Sequence, residues 1–103
     1  MKMFRQGDVL IVAVDKLHEN LSTVPRENGA VVLAHGEATG HTHAVRAKNA
    51  TLYSANAERF LRVTKRSVAL LHEEHSPITI APGVYKVIRQ REYSPEEIRN
   101  VAD

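Results

Sequence analysis

The apolar residues of this chain come in short runs, each closed by a turn signal within a few residues. The longest is Val9-Leu10-Ile11-Val12-Ala13-Val14, which follows the turn-forming Gln6-Gly7-Asp8. A run of that length is a strand, and one that is apolar at every position is covered on both faces. Ala30–Ala34, Thr42–Ala47, Thr51–Ser54, Arg59–Val63, Val68–Leu71 and Ile78–Ile80 repeat the scale. Asn28-Gly29, Gly36 and Gly40, Lys65-Arg66-Ser67 and Ala81-Pro82-Gly83 punctuate them. Val84–Ile88 alternates, with Val84, Lys86 and Ile88 on one face and Tyr85, Val87 and Arg89 on the other. No intervening segment carries a helical period. The pattern predicts an all-β fold, a small antiparallel barrel or sandwich of about seven to eight short strands.

Two stretches depart from that rhythm. The polar connection from Asp15 to Gly29 is long enough to be a functional flap. Ser94-Pro95-Glu96-Glu97 opens a short helix over about 94–102, with Ser94 as cap, Pro95 in the first helical position and Glu97 completing a capping box.

With 103 residues there is room for one domain, 1–103, and not for two. Aromatic residues are only 5%, so Val, Leu, Ile and Ala must build the core. The absence of cysteine excludes a disulfide scaffold, a thiolate zinc site, an iron–sulfur cluster and a cysteine nucleophile. No apolar run approaches the roughly 18 residues of a membrane helix, so no membrane association is expected and the default address is the cytoplasm. A net charge of +2 does not demand a nucleic-acid partner.

Histidine carries the chemical information. Five of the six histidines fall in two clusters: His35, His41 and His43, then His72 and His75. In a strand, residues i and i+2 face the same side, so His41 and His43 can converge on one ion. His72 and His75 stand at i, i+3, which fits a bulge or a turn at a strand end, with Pro77 just beyond. The expectation is a shared site for a divalent transition metal (Zn, Fe, Ni or Mn), with His41 and His43 at its centre and His75, His72 or His35 completing it. A His-x-His pair also occurs on ordinary exposed strands, and the second cluster reads equally well as surface residues. If one coordination position stays open, bound water falls to a pKa near ~7, and Glu37 or Glu74 can move its proton. Hydrolase, isomerase and oxygenase chemistry then all remain open. A closed site would be structural or sensory.

The strand His41-Thr42-His43 after a glycine-containing loop resembles the first motif of the cupin family, and Pro82-Gly83 before a strand resembles the second. The resemblance implies a small β-barrel holding a metal through a His-x-His pair, a Glu and a later His. Only His41 and His43 carry over, since Ala47 or Lys48 stands at the family's Glu and Val84-Tyr85-Lys86 follows the Pro-Gly turn. The opening Gln6-Gly7-Asp8-Val9 is also similar to that of small bacterial proteins, a likeness that brings no function with it.

The competing expectation is a non-catalytic binding or accessory module, presenting the 15–29 loop or a basic stripe (Arg59, Arg62, Lys65, Arg66, Arg89, Arg91) to a protein or, less favoured, a nucleic acid. A homo-oligomer that covers its edge strands is a further expectation.

Overall fold

The computed structural model describes residues 2–36 and 40–90. The helix expected at about 94–102 and the carboxylate Glu37 lie outside the described residues.

Among the described residues ten strands are formed: β1 Met3–Gln6, β2 Val9–Ala13, β3 Ser22–Thr23, β4 Val31–His35, β5 Thr42–Val45, β6 Ala50–Ala55, β7 Glu58–Val63, β8 Val68–His72, β9 His75–Ile80 and β10 Gly83–Arg89. Every pairing is antiparallel. Six strands form one sheet in the order β1-β2-β10-β7-β6-β3, and four form the other in the order β4-β5-β8-β9. The two sheets enclose one core, in which Ile11, Leu33, Val45, Leu52, Leu61, Leu70 and Ile80 are almost wholly removed from water. The expected all-β class therefore holds, as two sheets face to face and not as a closed barrel. No helix among the described residues is long and apolar enough to cross a membrane.

The strands follow from the runs that predicted them, with instructive differences. Gln6-Gly7-Asp8 does not lead into the first strand but joins two. Gln6 pairs with Val9, and Gly7-Asp8 is the two-residue loop between them. Gly7 has φ +60°, as the first position of a type II′ hairpin turn requires. Ser22–Thr23, inside the expected flap, is pinned to Ser54–Tyr53 of β6. The expected interruption over His72–Pro77 shrinks to the pair Glu73-Glu74, and the chain is a strand again from His75. Pro77 is tolerated there because β9 is the edge of its sheet and leaves one side of its backbone without a ladder.

Three of these elements meet at one end of the sandwich. They are the β1–β2 turn from the six-stranded sheet, the start of β5, and the β8–β9 hairpin. Gln6 marks the junction. It is a polar residue only 3% exposed, and its amide reaches from β1 to backbone carbonyls of β8 and β9.

Candidate metal centre

Strand register brings the two histidine clusters together. In β5 and β8, Ala44 pairs with Leu71 and Val45 with Leu70, so one further step sets His43 opposite His72. In β8 and β9, His72 pairs with His75. Three imidazoles from three adjacent strands thus cluster, bent at His72. Ring centres lie 4.3 Å apart for His43–His72, 4.6 Å for His72–His75 and 6.0 Å for His43–His75. The first two spacings are close to the roughly 4.8 Å between neighbouring strands. His41, two residues before His43, joins from the same side with its ring centre 5.6 Å from that of His72.

Carboxylates border the cluster. His41, His72 and Glu73 each offer one ligand atom, and the three atoms lie within 4.8 Å of one another. Ligands at ~2.0–2.1 Å around a tetrahedral ion are roughly 3.3 Å apart, so a small contraction would close the triad. Glu73 Oε1 accepts the Thr42 N–H at 3.1 Å, and hydrogen bonds from its own backbone and that of Thr42 hold its carboxyl below the usual range. Glu74 Oε2 is 3.7 Å from His41 Nδ1. The Glu74 backbone N–H donates to His72 Nδ1 at 2.9 Å, so with this bond made a neutral His72 ring carries its proton on Nε2.

The innermost histidine is His43, 4% exposed. Gln6 Nε2 donates to the Leu70 carbonyl at 2.9 Å and the Ser76 carbonyl at 3.0 Å, and Gln6 Oε1 lies 2.8 Å from His43 Nδ1. Burial, reinforced by the neighbouring His72 and His75 and opposed by Asp8, lowers the His43 pKa to about 4. On the far side of the ring, Asp8 Oδ1 is 3.5 Å from His43 Nε2. Asp8 Oδ2 accepts from Arg89 Nε at 2.9 Å. Partial burial pushes the Asp8 carboxyl up, but the hydrogen bond and charge of Arg89 outweigh it, and its pKa lies below the ordinary value.

Four of the five expected histidine ligands therefore assemble. His35 does not join them. It pairs with Thr42, whose side chain points to the face opposite His41 and His43, and its Nε2 lies 2.9 Å from Glu27 Oε1 in solvent. Sequence reasoning gave Gln6, Asp8 and Arg89 no place in this site, with Arg89 standing only in the basic stripe. Gln6-Gly7-Asp8 read as a turn because its composition is that of a turn. Only tertiary contacts give its side chains partners, Gln6 on β5, β8 and β9 and Asp8 on β5 and β10.

Residues 5–90 match the family described as Domain of unknown function (DUF8820). The chain belongs to that family. The matched stretch of the DUF8820 domain contains all the site residues named above, from Gln6 to Arg89. No curated protein and no solved structure matches the chain. The likeness of His41 and His43 to cupins remains one of two residues in a strand.

Proposed function

We propose that this DUF8820 domain is a small histidine-rich protein that binds a divalent transition metal at the end of its sandwich. The observation that carries the reading is the cross-strand cluster, in which residues far apart in sequence bring His41, His72 and Glu73 ligand atoms within 4.8 Å, with His43 and His75 beside His72. Imidazole nitrogen mixed with carboxylate oxygen suits Zn, Fe, Ni or Mn. The exposed Glu74 beside His41 is a proton acceptor for a water on such an ion, so hydrolysis, isomerisation and oxygenation stay open as reaction classes. The reading itself commits to binding.

The test is elemental analysis of untagged protein purified without chelator, beside a His41→Ala/His72→Ala double variant. Near-stoichiometric metal in the natural chain and its loss in the variant is the expected result. Protein that takes up none of the four metals, even after loading, would sink the reading. A module for polyanionic partners has less support, because two members of the basic stripe are already engaged. The Arg59 guanidinium donates to the Leu33 and Val32 carbonyls, and Arg89 is held by Asp8.

A further inference from the structure

We propose that Asp8 and His43 form an inner cation-binding pair beside the His41–His72–Glu73 triad, and that Gln6 is the positioning residue that aims His43 at the cation. The inference rests on the metal-binding reading above and extends it to three residues of different standing.

The argument begins at the Gln6 amide. Two backbone carbonyls, Leu70 O and Ser76 O, lie at hydrogen-bonding distance from one end of it. A carbonyl only accepts, so that end must be the NH2 group. The other end is then oxygen, and it faces His43 Nδ1 at 2.8 Å, so His43 must donate there. With the proton on Nδ1, a neutral ring has its lone pair on Nε2. That lone pair faces Asp8 Oδ1 at 3.5 Å. Asp8 is itself only an acceptor when ionised, and Arg89 holds its second oxygen. With His43 neutral and Asp8 ionised, two electron-pair donors thus face each other, beside an imidazole almost wholly removed from solvent.

A cation resolves that opposition. The 3.5 Å separation is close to the roughly 3.3 Å edge expected of two ligands on a tetrahedral ion. His75 also approaches this turn. A Cβ added at Gly7 would lie 2.7 Å from His75 Nε2, so the ring reaches the Asp8 turn only because residue 7 has no side chain. Metal-ligating histidines commonly donate their other ring N–H to a carboxylate or carbonyl oxygen, and the Gln6 oxygen supplies that partner here.

The test uses the full chain, Zn2+ as probe, and three variants. Affinity is read by competition with a chromophoric chelator, and the His43 tautomer by 15N NMR of the metal-free protein. Asp8→Asn keeps the shape and removes the charge, and is expected to weaken Zn2+ binding about 10–100-fold. Gln6→Met removes the acceptor for Nδ1–H. It is expected to move the His43 proton to Nε2 and weaken binding by a similar factor of about 10–100. Gln6→Glu keeps an acceptor facing Nδ1 while losing the two donors to β8 and β9. It is expected to retain the tautomer and most of the affinity despite lower stability. If Asp8→Asn binds Zn2+ as the natural chain does, the inner pair is refuted while the metal reading stands. If both Gln6 variants lose affinity in proportion to stability with the tautomer unmoved, Gln6 is a structural tie and its positioning role is refuted. If the natural chain binds no Zn2+, the metal reading falls and the inner pair with it.

Discussion

Acidification offers the sharpest test of the His43 environment. Its pKa is lowered from 6.5 to about 4 in the folded protein, so the unfolded chain binds this proton more readily than the folded one. The sign follows from that difference. The contribution is fully present above the unfolded value, and it is lost as pH falls from 6.5 towards 4. Taking one proton and those two values, moving from about pH 7.5 to about pH 5 removes about 2 kcal/mol of stability through this residue alone. For a domain whose total stability is of order 5–15 kcal/mol that is a large fraction. Asp8 does not confuse the window. Its folded pKa lies below the ordinary 3.8, so its contribution disappears only at more acid pH. The assay is urea unfolding at several pH values in the presence of chelator, comparing the natural chain with His43→Gln. The natural chain should lose its urea midpoint steadily below about pH 6.5, and the variant should lack that component of the slope. Equal slopes in the two proteins, or a flat profile in the natural chain, would refute the reasoning from burial.

Other perturbations follow from the same geometry. Gly7→Ala places a side chain at φ +60° and a Cβ 2.7 Å from His75 Nε2, and should cost about 1–3 kcal/mol in chemical unfolding while weakening metal uptake. Leu70→Ala empties a site with no solvent exposure two residues before His72 in β8, with an expected loss of about 2–5 kcal/mol by urea titration. Because a bound ion stabilises the folded state, Zn2+ at about 100 times its Kd should raise stability by about 2.7 kcal/mol, reversed by chelator and absent in His41→Ala/His72→Ala. Coordination through His72 Nε2 requires its proton to leave, so the Glu74 amide that now donates to Nδ1 should change its NMR shift on Zn2+ titration more than amides elsewhere in β8.

The fold was largely legible because its signals are local. Short apolar runs between turn residues identify strands without knowledge of partners, and eight of the ten strands fall where such runs or alternations stand. The weaker elements were not visible for the same reason. Met3–Gln6 has one buried residue in four, and Ser22–Thr23 is a two-residue strand with both side chains exposed, so each exists only through its neighbour. The candidate site was half legible. Histidine count and i, i+2 spacing mark His41 and His43, but no spacing rule links them to His72 and His75, whose proximity is set by the β5–β8 register. His35 shows the limit of clustering by sequence number. It is six residues from His41, yet strand pairing sends it to the other face. Asp8 and Gln6 gave no signal beyond that of a turn, since a buried glutamine is recognisable only once its three hydrogen-bond partners are in place.

The contact between Gln6 and His43 also converts strand alignment into proton placement. Gln6 is the last residue of β1 and pairs with Val9 across a two-residue turn. A slip of one residue in that hairpin would turn the glutamine away from the core and bring Arg5 or Gly7 to its position. Arg5 has no acceptor and Gly7 has no side chain, so neither could hold a proton on Nδ1 of His43. Only the native register therefore leaves Nε2 of His43 unprotonated, and a misaligned hairpin would betray itself in the tautomer of a single imidazole on the opposite sheet.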